Sequence, residues 1–246
     1  MKRVIGILSG KGGVGKTTCA VNLAMAAHKL AEPVVVIDCD VENANLGLHL
    51  GLYDFPRTIH DVLARNSDIL EAVHIHSTGL RMVPASIATK FARQNLTGIR
   101  KIVNEFNHLQ FLDSPPGLGQ NVRELINVCD DVIVVSTPDV PSITDAYKTV
   151  RMARAAKKKV LGVLLNRVTR RDEIPSAQVH DIFGLPVIGI IPEDKTIKKS
   201  LYHRLPVTEY KPYAPSSRAF FMVASSLLGR QYKKPALAGF RNFLAR

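Results

Sequence analysis

Residues 8–24, LSGKGGVGKTTCAVNLA, constrain this chain more than any other stretch. Gly10-Lys11-Gly12-Gly13-Val14-Gly15-Lys16-Thr17 satisfies G-x-x-x-x-G-K-[ST] in full. It follows an apolar run of strand type, Arg3–Leu8, and opens a run of helical type over 17–29. A glycine-rich turn in that setting curls several backbone N–H groups inward, and the helix N-terminus adds positive potential, so the unit suits a phosphate. Lys16 is predicted to reach the β- and γ-phosphates of a nucleotide, and the Thr17 hydroxyl to bind Mg²⁺. The loop also carries a second lysine, Lys11, which gripping a nucleotide does not require.

Further apolar, β-branched runs predict strands over 33–38, 80–84, Leu109–Asp113, 132–136, 160–166 and 187–191. Most are continuous rather than alternating, as strands covered on both faces are. Helix-length segments fall between them, over 86–104, Gln120–Val128, 144–156 and 177–183. The alternation predicts an α/β fold, a doubly wound and mostly parallel sheet with helices on both faces, of P-loop NTPase type. Ligands in such sheets sit beyond the carboxyl ends of the strands, where every informative motif here falls. A last helix is expected over 215–230. The reading is a single nucleotide-binding domain over 1–230 and a separate tail over 231–246.

Four of those strand ends carry polar chemistry. VVVIDCD ends in Asp38 and Asp40. A carboxylate facing the phosphates can orient an attacking water or hold magnesium-bound water. Asp40, followed by Asn45, is the candidate, and Asp38 stays open between a helper and a turn former. FLDSPPGLG ends in Asp113, which fits the second acidic motif of nucleotide hydrolases and would hold magnesium through water; Gly117 and Gly119 then form a loop able to sense a γ-phosphate. VLLNRV ends in Asn166 and Arg167, and the Asn amide offers a donor and an acceptor to an adenine edge. IIPED supplies Pro192, Glu193 and Asp194 as the other side of a base pocket; both stretches also read as plain strand-ending turns.

Charge is uneven. The formal net charge is +12; Lys plus Arg exceed Asp plus Glu by two in residues 1–120 and by ten in 121–246. That excess points to an anionic partner, a lipid surface or nucleic acid, or to solvated helix faces. The last residues, KKPALAGFRNFLAR, place Leu237, Phe240 and Leu244 on one helical face with Phe243 and Ala236 beside them. This basic amphipathic segment suits a membrane interface, or else docks on the protein's own surface as a final helix. Met1-Lys2-Arg3 imitates the start of a signal peptide, but the apolar run behind it is too short, so a strand and a cytoplasmic location are expected. The three cysteines, Cys19, Cys39 and Cys129, have no C-x-x-C spacing and read as small buried thiols.

Taken together, K-G-G-V-G-K-T-T with its early lysine, D-x-D-x-x-x-x-N-L-x-L over 38–48, D-S-P-P-G-L-G over 113–119 and Asn166 resemble the deviant Walker ATPases of the MinD/ParA group, over residues 1–228. Val41 and Glu42 stand where ParA-like members more often have Pro-Gln, which favours the MinD side. The resemblance implies a slow, partner-stimulated Mg²⁺-ATPase that forms a homodimer on binding ATP and switches its attachment to a membrane or to a regulator protein. It implies nucleotide contacts from Gly10, Lys11, Gly12, Gly13, Val14, Gly15, Lys16, Thr17 and Thr18, with Asn45, Gly117, Asn166, Arg167, Pro192, Glu193 and Asp194. It implies catalysis by Lys16 and Asp40, magnesium held by Thr17, Asp40 and Asp113, and Lys11 reaching the partner subunit's phosphates. The location implied is cytoplasmic with reversible membrane association. The rival within the group is a ParA-like DNA-partitioning ATPase, whose ATP dimer would bind DNA through Lys157-Lys158-Lys159, Arg170-Arg171 and Lys195, Lys198 and Lys199.

Overall fold

The apolar runs close into one sheet. The structure is a computed structural model and describes residues 2–88 and 95–232. Its strands are β1 (Arg3–Leu8), β2 (Val34–Asp38), β3 (His74–Ile75), β4 (Arg81–Val83), β5 (Leu109–Asp113), β6 (Asp131–Ser136), β7 (Lys159–Val168) and β8 (Val187–Pro192), in the order β3-β4-β2-β5-β1-β6-β7-β8. Among the described residues only the short β3–β4 pairing is antiparallel.

Both faces are covered, which explains the lack of polar alternation. Val4 and Leu8 of β1 join one apolar layer, Ile5 and Ile7 the other. The first layer takes α3 (Ile59–Leu63), α4 (Ile99–Asn104), α5 (Gln120–Val128), α6 (Val140–Ala155) and α7 (Ser176–Phe183). The second takes α1 (Lys16–Lys29), α2 (Leu46–His49), α9 (Val207–Tyr210) and α10 (Pro215–Leu227), with α8 (Lys195–Tyr202) packed at its rim through Ile197. The chain runs outward from β1 to β2 on one side, returns to β5, and crosses to β6 on the other. The carboxyl ends of β5, β1 and β6 therefore face the crevice where an open α/β sheet binds ligands.

The helix expected over 86–104 is corrected. Only Ile99–Asn104 is helical; 86–88 and 95–98 are not, and 89–94 lie outside the described residues. Side chains take the backbone donors that a helix would use: Ser86 N–H donates to His60 Nδ1 and Leu96 N–H to Asn121 Oδ1, while Gly98 turns left-handed at φ 100°. Helix α6 begins at Val140, four residues before the expected start, because Asp139 caps it by accepting from Ser142 N–H. Helices α2, α3, α8 and α9 had no prediction: α2, α3 and α9 are four or five residues long, and lysines interrupt the apolar pattern of α8.

The last described residues are tied down. The Arg230 guanidinium donates to Leu30 O and Glu32, and Tyr232 stacks on Phe221. The amphipathic segment over 235–246 lies outside the described residues. No helix among the described residues is long and apolar enough to cross a membrane.

Phe220 of α10 is fully buried in the layer shared with α1. Phe220→Ala is expected to lower the unfolding free energy by about 3–5 kcal/mol in a urea titration. A loss below about 1 kcal/mol would place α10 outside the cooperative core.

Candidate functional site

The phosphate loop is shaped by two left-handed glycines, Gly13 at φ 80° and Gly15 at φ 92°. Gly15 is the N-cap of α1, and a Cβ there would collide with the Asn166 amide as well as strain the backbone. Gly10 has no room for a Cβ either, because the Asp145 carbonyl of α6 lies against it. Lys16 begins α1 with its side chain largely buried, whereas Gly12 and Gly13 are open to solvent. Asn166, at the far end of β7, donates from Nδ2 to the Val14 carbonyl at 2.7 Å. Its Oδ1 is buried with no partner, so the amide presents an unused acceptor beside the loop.

Strands β2 and β5 pair so that Asp38 and Asp113 are neighbours in register, both buried. They serve opposite purposes. Asp38 accepts from the N–H groups of Asp40 (3.1 Å), Asn45 (3.1 Å) and Leu46 (3.0 Å), and so folds the 40–46 loop around itself. This settles the alternative left open by the sequence: Asp38 is an internal loop former. Asp113 has neither oxygen hydrogen-bonded. Burial pushes its carboxyl well above the usual range, and the nearby Thr17 hydroxyl and Lys16 ammonium offset only part of that. Asp40 is raised too, by burial first, against the lowering from Asn43 N–H and Lys16. Asp38 is raised by burial and then by Asp113, against its amide bonds.

A buried carboxylate with no partner is costly unless a cation or donor arrives. Asp113 beside Thr17 therefore fits Mg²⁺ held partly through water. Among the described residues no three His, Cys, Asp or Glu side chains form a metal cage. Mg²⁺ needs none, since it takes one or two protein groups and completes its shell with phosphate oxygens and waters.

Most of the remaining candidates line three hollows; Pro192, the last residue of β8, lines none of them. One of about 420 Å³ is lined by Lys11, Gly12, Gly13, Val14, Asp139 and Arg167 among others. A second, about 390 Å³, lies between Asp40 and the Pro115–Pro116 turn with Gly119. The third, about 770 Å³, takes Thr18, Asn166, Arg167, Glu193 and Asp194. Gly117, at φ 86°, donates its N–H to Ser9 O, which ties the loop after β5 to the phosphate loop. Asp194 has both oxygens engaged: it caps α8 through Thr196 N–H and accepts from the Ser216 amide and hydroxyl, so its side chain serves the fold. Asn45 spends its amide on Asn43 O. Lys11 does not turn into its own loop. Its Nζ lies 3.5 Å from Asp139 Oδ1, with nearly half of its side chain exposed.

Sequence reasoning missed several residues. His49 bonds Thr18 Oγ1 and the Asn45 carbonyl, and His60 donates to Val41 O from Nε2. Asp139 faces Lys11 across 128 positions of chain. Nothing local signals these pairings, although Asp139 ahead of Val140-Pro141 reads as a helix cap.

A ParA family model, described as NUBPL iron-transfer P-loop NTPase, matches residues 1–228. The chain is 34% identical over 238 residues to an uncharacterized ATP-binding protein of Methanocaldococcus jannaschii, covering 95% of this chain and 90% of that one. It superposes on the cell division ATPase MinD of Pyrococcus furiosus with a TM-score of 0.86, at 30% identity, over 93% of this chain and 99% of that one. It superposes on the septum site-determining protein MinD of Pyrococcus horikoshii, solved with Mg-ADP, with a TM-score of 0.87, at 29% identity, over 98% and 99% of the two chains.

Asp38→Ala would leave three amides without an acceptor, those of Asp40 and Leu46 buried and that of Asn45 half-buried. We expect a loss of about 2–4 kcal/mol in unfolding free energy and faster amide exchange across 40–46. Unchanged exchange in that segment would show that Asp38 does not organise it.

Proposed function

The chain belongs to the ParA family of P-loop NTPases, and on that premise we propose that it is a MinD-like Mg²⁺-dependent ATPase that dimerises on ATP and acts as a reversible spatial switch. One observation carries the reading: Asp113, buried and unpartnered, lies beside Thr17 and Lys16 at the mouth of a complete phosphate loop. Iron transfer fits these residues poorly. Cys19, Cys39 and Cys129 are all buried, and burial pushes each thiol up, away from the thiolate that binds iron.

The backbone N–H groups of 10–16 and the Lys16 ammonium would hold the β- and γ-phosphates, and Thr18 would add a hydroxyl. Thr17 directly, and Asp113 and Asp40 through water, would hold Mg²⁺, which when bound neutralises charge on the phosphate oxygens. On this reading Asp40, mostly buried with a raised carboxyl, would orient the attacking water and take its proton. The unused Asn166 Oδ1 would accept from the 6-amino group of adenine, where guanine would oppose it with a carbonyl. ATP is thus expected to bind at least about tenfold more tightly than GTP.

Lys11 supports the dimer. Its weak, half-exposed contact with Asp139 is easily exchanged for a stronger anion, and its own loop does not engage it. On this reading it crosses to the partner subunit's phosphates, which makes dimerisation depend on ATP. Lys11→Ala should bind ATP as a monomer and fail to dimerise in size-exclusion chromatography, whereas Asp40→Ala should bind ATP and lose turnover. A normal ATP dimer from Lys11→Ala would end the trans-lysine reading, and unchanged turnover after Asp40→Ala would remove Asp40 from catalysis.

Attachment is proposed through the amphipathic tail, with two tails on a dimer binding anionic lipid by avidity. Deleting 235–246 should abolish ATP-dependent sedimentation with anionic liposomes and leave hydrolysis intact; loss of hydrolysis would make the tail part of the fold. A DNA-binding reading has one observation in its favour: Lys195, Lys198 and Lys199 are all exposed on α8. ATP-dependent binding to duplex DNA that weakens steeply with salt, without liposome binding, would establish it instead.

A further inference from the structure

We propose that Asn121 is a positioning residue that clasps the Asp40 loop to the segment after β5, so that the two move together when a γ-phosphate arrives. The inference rests on the ATPase reading above and concerns how that site is regulated.

Asn121 is the second residue of α5, two positions after Gly119, and is nine-tenths buried. Both ends of its amide are used. Nδ2 donates to Glu42 Oε1 at 3.1 Å, and Oδ1 accepts from Leu96 N–H at 3.0 Å. Glu42 is two residues beyond Asp40, and its remaining surface is exposed. One side chain therefore ties together the Asp40 loop, the first turn of the helix that follows Gly117–Gly119, and the backbone at 96.

The rest of the 40–46 loop is already immobilised on its inner side. Asp38 takes three of its amides, Asp40 takes Asn43 N–H, and His60 holds Val41 O at 2.9 Å. Among the described residues, Glu42 is the side chain that ties this loop to α5. Gly117 binds Ser9 O of the phosphate loop, so a phosphate that shifts Gly117 also pulls the start of α5. Through Asn121 that displacement reaches Glu42 and then Asp40 across a hollow of about 390 Å³ lined by Asp40, Glu42, Gly119 and Asn121. Charge assistance strengthens the tie, since a carboxylate accepts from the amide. Opening it would leave the buried amide short of a partner.

The bond has a direction, which permits a test by exchange. Asn121→Asp removes the donor and sets one carboxylate against another. Adding Glu42→Gln restores a donor and an acceptor with their roles reversed, while the acceptor for Leu96 N–H is kept. Glu42→Ala opens the same bond without touching the buried position, which covers the case in which Asn121→Asp folds poorly. In single-turnover hydrolysis with the full chain, Asn121→Asp and Glu42→Ala should each slow turnover by about tenfold, with ATP affinity within about twofold of the parent. The pair Asn121→Asp with Glu42→Gln should recover to within about twofold of the parent. Unchanged turnover in Glu42→Ala, or no recovery in the exchanged pair, would overturn the clasp. A parent protein that does not hydrolyse ATP would overturn the ATPase reading instead. The clasp would then be decided by amide exchange without nucleotide: faster exchange over 40–46 in Glu42→Ala supports it, and unchanged exchange rejects it.

Discussion

Two carboxylates buried side by side at the carboxyl edge of the sheet govern this site. Asp38 and Asp113 are register partners on β2 and β5, in a place where desolvation and like charge both oppose ionisation. The fold resolves one and leaves the other. Asp38 is compensated by three backbone donors, and those bonds give the 40–46 loop its shape. Asp113 is left for something that comes from outside. A cation bound at Asp113 would stabilise the protein, because binding would remove a desolvation penalty already present in the free chain.

The sheet makes that arrangement possible. A parallel strand feeds its polar loop to the same edge as its neighbours, so Leu8, Asp38, Asp113 and Asn166 converge although 158 positions separate the first from the last. The loops then brace one another directly. Asn166 holds Val14, Gly117 holds Ser9, and Asn121 joins Glu42 to Leu96. Most of these contacts use side-chain amides or backbone groups, which stay fixed as the charge on the ligand changes. The exception is Lys11–Asp139, an exposed ion pair of the kind that contributes little and exchanges readily. The phosphate loop is thus rigidly braced, with one loosely held cation, Lys11, at its rim.

Much of this was legible in the chain. Continuous β-branched runs gave the inner strands to within a residue or two, and β1, β5 and α5 kept their expected bounds. The phosphate loop declared itself because glycine spacing, a preceding strand and a following helix are all local requirements. The segment 86–104 has the length of a helix between two strands, but two of its backbone donors go to His60 and Asn121, 26 and 25 positions away.

The sequence by itself determined the fold class, the phosphate loop and which strand ends carry acids, since those follow from periodicity and near-neighbour chemistry. Only the tertiary structure decided what each polar group does. Asp38 and Asp113 are the same residue type at equivalent strand ends, yet one is saturated by the loop folded over it and the other has Thr17 and Lys16 beside it. Asn166 has its donor spent and its acceptor free, and Lys11 rests on a carboxylate 128 residues away. The reason is physical: a hydrogen bond joins groups across about 3 Å of space regardless of their separation along the chain, so the role of a buried polar atom is set by what the fold brings to it.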